Sequence, residues 1–98
     1  MGIKDSGIDE KLILKNFDDA LGSSKELSGF YFGWEDGGLS IIVLVKGYKD
    51  SLENKIYNAE WKISKEHPKA EINVRVVPKF NFPNYKLIPK GFQKYSLS

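Results

Sequence analysis

The segment Leu39–Pro78 constrains the fold of this chain more than any other part of its sequence. It opens with Leu39–Lys46, a run of strand-forming residues that is apolar on both faces, and a strand of this kind is covered on both sides. A helix pattern and then an alternating strand pattern follow. A strand, a helix and a strand with short connections place the helix against the sheet. We therefore expect helices packed on a small sheet.

The helix in this segment has clear sequence boundaries. Asp50 and Glu53 form a capping-box pattern at its start, and Pro68 ends it because the residue before a proline avoids helical geometry. Its apolar positions recur with helical spacing, which predicts one buried face. That face consists of Leu52, Ile56, Ala59 and Ile63.

The strand that follows, at about Glu71–Val77, alternates between its two faces. Residues at every second position point to one side of a sheet. The inward positions are Ile72, Val74 and Val76, and the outward positions are Glu71, Asn73 and Arg75.

Two further elements precede the segment. A helix is predicted over Ile8–Leu21, with Ser6 as its cap and Gly22 just past its end. Its buried stripe consists of Ile13, Phe17, Ala20 and Leu21. A strand over Phe30–Trp34 then leads into Glu35–Gly38, which has the glycines of a hairpin turn.

In chain order these elements predict an α+β fold, an α-β-β-α-β two-layer sandwich with two helices on one face of a three-stranded mixed sheet. Whether the third strand pairs with the first or the second is left open. A chain of 98 residues is too short for two separate cores. We expect a flexible N-terminus at residues 1–7, one domain at residues 8–78 and an extended basic aromatic C-terminal arm at residues 79–98.

The arm differs in charge from the rest of the chain. It holds four lysines and no acid, whereas residues 1–78 hold 11 basic and 13 acidic side chains. Prolines and a glycine prevent a long helix, and the density of aromatic residues is not typical of a disordered linker. The arm is therefore expected to pack on its own domain or on a second copy of the chain, which would also cover the sheet face that the helices leave open.

Several chemistries are excluded or disfavoured. The chain has no cysteine, which excludes disulfides, thiolate nucleophiles and cysteine-ligated metals. The only histidine, His67, lies at a helix end, where its charge suits the helix dipole better than a metal site. The pairs Asp18-Asp19 and Glu35-Asp36 are interpreted as solvated helix surface and turn. We expect no metal, no cofactor and no catalytic residue.

One enzymatic template resembles part of the chain. The run Phe30–Gly33 followed by Gly38–Val45 is faintly similar to minimal nucleotidyltransferases, which carry a Gly-Ser strand end and then an Asp-x-Asp strand. Here Trp34 stands in place of the serine, and Ile41 and Val43 stand in place of the two carboxylates. Without carboxylates a metal–nucleotide complex has no anionic ligands. The resemblance therefore implies a catalytically inactive domain.

A second resemblance covers more of the chain. Ser51–Pro78, with Glu60, with His67 and a proline at the helix end, and with the strand Ala70–Pro78, resembles the soluble C-terminal domain of cation diffusion facilitator transporters. The similarity in element order extends over about Ile8–Pro78. It implies a metallochaperone-like fold that forms dimers and senses divalent metal.

The chain departs from this family in its metal ligands. The family's metal-binding histidines are missing from the strands, and Asn73 and Arg75 occupy the outward face of the third strand. The resemblance therefore implies the architecture and the self-association, but not the metal sensing.

The remaining signals concern surfaces. Tyr57 and Trp61 lie one turn apart and away from the buried helix stripe, so they either anchor a partner or are covered by the arm or the first helix. The arm adds aromatic contact candidates: Phe80, Phe82, Tyr85, Phe92 and Tyr95. It also adds possible anion contacts: Lys79, Lys86, Lys90 and Lys94.

These signals predict a non-enzymatic interaction or regulatory module that self-associates as a homodimer, through the open sheet face, the aromatic helix face or the arm. The N-terminus lacks a signal-peptide pattern and no segment approaches the length of a membrane span, so a cytoplasmic protein is expected. One alternative is a protein that binds single-stranded nucleic acid through the lysines and aromatic residues of the arm. The other alternative is the inactive nucleotidyltransferase-like domain.

Overall fold

A computed structural model describes residues 10–22, 27–46, 50–78 and 88–95. Its helices and strands follow in the order α1 (Glu10–Leu21), β1 (Leu27–Glu35), β2 (Gly38–Val45), α2 (Asp50–Glu66), β3 (Ile72–Pro78) and β4 (Gln93–Lys94). The α+β class with two helices and a mixed sheet is confirmed. The N-terminal segment 1–7, including the proposed cap Ser6, lies outside the described residues.

The sheet has four strands in the order β3-β2-β1-β4. β2 pairs with β1 antiparallel and with β3 parallel, which settles the partner of the third strand. The sheet has one strand more than the three expected, because residues of the C-terminal arm form β4 and pair antiparallel with β1. Two paired residues are too few to produce an alternation that a sequence pattern could reveal.

The turn between β1 and β2 is formed by Asp36 and Gly37, which have φ angles of 51° and 82°. Positive φ at both central residues matches the twist of a two-residue hairpin, and glycine adopts it without steric cost. The expected turn Glu35–Gly38 is thus correct in place, although its outer residues belong to the strands.

Helix α1 packs on β1 through a face slightly different from the expected one. Ile13, Phe17 and Leu21 are buried as expected, but Leu14 is also buried and Ala20 is only partly so. The ring of Phe17 meets Phe30 of β1 edge-on, with a centroid distance of 5.2 Å and an interplanar angle of 89°. Aromatic pairs favour this arrangement, which fixes α1 against the sheet.

The end of α1 lies beside α2. Gly22 has a φ of 69° and donates its N–H to the carbonyl of Asp18 at 3.1 Å, as expected for a left-handed helix end. The last turn of α1 contains no basic residue. A Cβ at Gly22 would lie 3.6 Å from the Nζ atom of Lys55, so α2 supplies the positive charge that the helix end favours.

Helix α2 packs on the same side of the sheet as α1. Its expected stripe is confirmed, since Leu52, Ile56, Ala59 and Ile63 are all buried in the core. The core also contains alternate residues of β2: Leu39, Ile41, Val43 and Val45. We call this side of the sheet the helix face. The opposite side, which carries Ser40, Ile42 and Leu44, is called the second face.

Strand β2 is buried on both faces along all of its residues. On the second face Ile42 is 2% exposed and Leu44 is 0% exposed. The prediction of two-sided burial is therefore confirmed within a single chain, although helices cover only one side.

The C-terminal residues Phe92–Tyr95, which we call the clip, contact β1 on both faces. The N–H of Tyr95 donates to the carbonyl of Phe30 at 3.0 Å, and the Tyr95 ring stacks on Phe30 at a centroid distance of 4.7 Å. On the other side, a Cβ at Gly33 would lie 2.5 Å from the ring of Phe92. Gly33 is paired with Ser40, so Phe92 lies on the second face.

Neither helix in the described part of the chain combines the length and the apolar character that crossing a membrane requires.

We predict that Gly33→Ala destabilises the protein by about 1–3 kcal/mol, because the added methyl group overlaps the Phe92 ring. Gly33 does not adopt a positive φ, so the backbone itself accommodates alanine. Urea unfolding measures the change.

The control is the same substitution in a Phe92→Ala background. There Gly33→Ala should be neutral or stabilising by up to about 1 kcal/mol, because alanine loses less conformational entropy than glycine. An equal loss of stability in both backgrounds would contradict the contact between Gly33 and Phe92.

Candidate partner-binding surface

The most exposed aromatic side chains of the described structure lie on the outer side of α2. Trp61 is 65% exposed and Tyr57 is 41% exposed. They are four residues apart, so their side chains are neighbours on the helix surface. We call this pair the aromatic helix face. It points away from the buried stripe, as expected.

Lys65 shapes this surface. Its Nζ atom lies 4.3 Å from the centroid of the Trp61 ring, a distance at which the ammonium group is attracted to the π-system. Sequence reasoning missed Lys65, although its spacing of one helical turn from Trp61 could have indicated the contact. The pair presents one side of the indole together with a positive charge.

As far as the structure describes them, neither helix α1 nor the C-terminal arm lies over the aromatic helix face. Helix α1 packs beside α2, where Asn16 donates its amide group to the Nε2 atom of His67 at 3.2 Å. The described part of the C-terminal arm pairs with β1, at the far side of the sheet from β3 and α2. Tyr57 and Trp61 thus remain exposed in the folded chain.

The two aromatic rings in the described part of the arm contact β1 of the same chain. Phe92 lies against Gly33 and Tyr95 stacks on Phe30, so both rings are half-buried rather than displayed. Burial raises the pKa of Tyr95, and the nearby carboxylates of Asp18 and Asp19 raise it further.

The structure describes two of the four lysines of the arm. Lys90 and Lys94 are exposed, and Lys94 is paired with Tyr31 in the sheet. The other proposed contacts of the arm lie outside the described residues: Lys79, Phe80, Phe82, Tyr85 and Lys86.

The positions suggested by the nucleotidyltransferase resemblance have structural roles. Ile41 and Val43 are fully buried on the helix face of β2, where they contribute to the core. Trp34 donates its indole N–H to Glu10 of α1 at 2.9 Å. The residues at these three positions therefore join the sheet to the helices and do not line an open site.

The acidic pairs occupy helix and turn surfaces. Burial raises the pKa of Asp18 and its neighbour Asp19 raises it further, which is consistent with the position of this pair beside Tyr95. Glu35 accepts a hydrogen bond from the hydroxyl of buried Ser40 at 3.0 Å, and one Arg75 nitrogen lies 3.9 Å from the same carboxylate oxygen. Within the described ranges no three His, Asp or Glu side chains cluster as possible metal ligands.

A shallow groove of about 480 Å³ lies along one side of α2, next to Ala20 of α1. Its polar walls come from one side of α2, and it is lined by Ala20, Ser51, Asn54, Lys55, Asn58, Ala59 and Lys62. One of its charged groups, the Nζ atom of Lys55, lies beside the end of α1.

Glu60 is a further residue whose role the sequence did not reveal. Its Oε2 atom accepts a hydrogen bond from the backbone N–H of Val74 in β3 at 3.2 Å. β3 is an edge strand, and this N–H points away from β2. Burial raises the pKa of Glu60, and the hydrogen bond from Val74 partly opposes that rise.

Comparison of the chain with protein-family models, with curated proteins and with solved structures finds no match.

We predict that Glu60 makes the stability of the protein depend on pH just above the ordinary Glu pKa of 4.5. Because folding raises the pKa, the folded chain binds the proton more tightly than the unfolded chain, and stability increases as the pH falls through this window. Below 4.5 both states are protonated and the gain levels off. Urea unfolding from pH 7 to pH 4 measures the dependence.

Glu60→Gln is the matched control, since its amide oxygen still accepts from Val74 but does not titrate. The difference in stability between wild type and this variant should shift in favour of wild type as the pH falls. A difference that is constant with pH, or that shifts the other way, would contradict the raised pKa.

Proposed function

We propose that this protein is a non-enzymatic interaction module that self-associates as a homodimer through the aromatic helix face of α2. The observation that carries the proposal is the exposure of Trp61 in the folded chain, with Tyr57 beside it. Exposed aromatic residues that form one patch mark interaction sites, and tryptophan and tyrosine dominate binding energies at interfaces.

The chemistry of the patch fits contact between two copies. In a twofold contact the same patch meets itself, so the Trp61 ring of one copy faces the corresponding α2 surface of the other. Lys65 covers one side of the indole, and the other side is available for stacking. The aromatic helix face then forms the apolar centre of the contact, and the charge of Lys65 lies toward its rim.

The second face of the sheet is a weaker candidate for the contact. Ile42 and Leu44 are already buried in the single chain, so β2 offers no bare aliphatic surface there to a second copy. The resemblance to the cation diffusion facilitator domain implies dimer formation, and the order α1-β1-β2-α2-β3 is the one it implies. We therefore favour self-association in the cytoplasm, with α2 as the contact element.

Binding of single-stranded nucleic acid is the less favoured function. Lys90 and Lys94 are exposed and available to phosphates. Base stacking, however, needs displayed rings, and Phe92 and Tyr95 are used in contacts with β1. The inactive nucleotidyltransferase-like domain is less favoured still, because Ile41 and Val43 serve the core.

We predict that Trp61→Ala raises the dissociation constant of the homodimer by about tenfold or more, since removal of a central aromatic anchor costs 1–2 kcal/mol or more. Tyr57→Ala should act in the same direction with a smaller effect. Light scattering behind a sizing column, over a dilution series of the protein, measures the change.

Lys62→Ala is the matched control, because Lys62 is exposed on the same helix but on its α1 side. It should leave the dimer unchanged, and urea unfolding should show that all three variants remain folded. A wild-type protein that is monomeric throughout the series, or a Trp61→Ala dimer as tight as wild type, would overturn the proposal.

A further inference from the structure

The two edges of the sheet differ in how they are protected. At the β3 edge, the carboxylate of Glu60 occupies the outward N–H of Val74, and Pro78 ends the strand without a donor. Groups of this kind prevent another strand from adding to an edge. Among the described residues, the β1 edge is covered by the short strand β4, whose two residues pair with Tyr31 and Phe32 of a nine-residue strand.

The clip holds β1 in the way that a bound peptide holds a sheet edge. Backbone pairing supplies the register, and the two rings at its ends, Phe92 and Tyr95, contact opposite faces of the strand. Gln93 and Lys94 between them are exposed. Main-chain bonds with side chains in alternate pockets are the mode of β-strand addition.

The space for Phe92 is created by the absence of a side chain at Gly33. A Cβ there would meet three atoms of the Phe92 ring within 2.9 Å. The Tyr95 ring stacks on Phe30, which also packs against Phe17 of α1. Gly33 and Phe30 both belong to β1, so these two contact positions remain in place when the clip detaches from the sheet.

We propose that the outer edge of β1 is a strand-addition site for an extended Phe-x-x-Tyr segment, and that its occupant in trans is the clip of a second copy of this chain. An identical segment satisfies the same contacts with Gly33 and Phe30. Thirteen residues, 79–91, separate β3 from the clip, and such a length of chain reaches at most roughly 45 Å. This exceeds the longest dimension of the molecule, 38 Å, so a clip is long enough to reach a neighbouring copy.

The clip in cis competes with the clip in trans. A tethered segment has an effective concentration on the order of millimolar, so exchange between wild-type copies is appreciable only near that concentration. Weakening the cis clip in one copy opens its β1 edge to the segment of another. The site does not involve α2, so this proposal is independent of the dimer through the aromatic helix face.

A labelled peptide with the sequence of residues 88–98 tests the site when it is titrated into full-length protein. We expect the Phe92→Ala protein to bind it with a dissociation constant at least about tenfold lower than wild type does, since the cis competitor is weakened. Gly33→Ala in the Phe92→Ala protein should abolish binding, because the methyl group fills the Phe92 position. Trp61→Ala should leave the peptide affinity unchanged.

Equal affinity of wild type and Phe92→Ala for the peptide would overturn the proposal, as would binding that survives Gly33→Ala. A change in affinity with Trp61→Ala would also overturn it, because the edge would then not be the site. If light scattering shows that the wild-type protein is a monomer while the peptide binds as expected, the result would count only against the dimer through the aromatic helix face.

Disulfide trapping tests exchange between two complete copies. Tyr95 donates its N–H to Phe30, so these two residues form a hydrogen-bonded pair of the antiparallel ladder. Because the two pair types alternate, the next pair, Tyr31 and Lys94, is of the type whose members do not bond to each other. Such pairs have Cα atoms roughly 4.5 Å apart, within the range of roughly 4.4–6.8 Å that a disulfide accepts. The chain has no cysteine of its own, so a disulfide that joins a Tyr31→Cys protein to a Lys94→Cys protein links the two introduced thiols.

The two single variants are mixed at about 1 mM in a glutathione redox buffer, near the effective concentration of the tethered clip. Glutathione disulfide takes up the two electrons of the thiols. We expect several times more covalent heterodimer than from the control pair Lys11→Cys and Lys94→Cys, whose positions are both exposed but are not paired with each other. Phe92→Ala in the Lys94→Cys copy should lower the yield.

The double variant Tyr31→Cys/Lys94→Cys at high dilution should form a cyclic monomer, which checks the register. If it does so while the mixed single variants give no more heterodimer than the control pair, the clip binds only in cis and the proposal is wrong. Phe32→Cys with Gln93→Cys, the adjacent pair, repeats the test if Tyr31→Cys does not fold.

Discussion

The burial of β2 on both faces is the constraint on which the rest of this structure depends. Two helices cover one face, and their apolar stripes meet Leu39, Ile41, Val43 and Val45. The second face carries Ile42 and Leu44, which would be expensive to leave in water, and no helix lies there in the described structure. In the described structure the C-terminal residues Phe92–Tyr95 pair with β1, and Phe92 lies on the second face while Tyr95 lies on the helix face.

The two edges of the sheet are protected in different ways. The strands β3 and β4, which follow one another along the chain, form opposite edges of the sheet. At the β3 edge, the outward N–H of Val74 is occupied by Glu60, a residue of α2. The β1 edge is closed by a short segment whose anchors are two rings. Because a short segment held at few points detaches at low cost, the β1 edge is where we propose that the sheet accepts a different strand.

Local patterns in the sequence predicted most of the fold. The stripe of α2, the Asp36-Gly37 turn and the two-sided burial of β2 follow from periodicity and turn chemistry within short windows, and the structure confirms them. The features that the sequence did not reveal depend on partners far along the chain. β4 exists because Gly33 and Phe30 receive two rings, and Glu60 matters because Val74 lies beside it. The exposure of Trp61 was predicted from its helix position, but whether another segment covers it was not, since covering is a tertiary contact.

Helix α2 serves the fold through three of its sides, and its outward side differs from them. One side of it fills the core through residues such as Ile56. A second side closes the β3 edge through Glu60, and a third side supports the end of α1 through Lys55. The outward side has no comparable role in the fold, and a helix surface in that position is ordinarily polar. Tyr57 and Trp61 therefore occupy the one side of α2 where aromatic residues add nothing to the core, so a change there separates binding from stability.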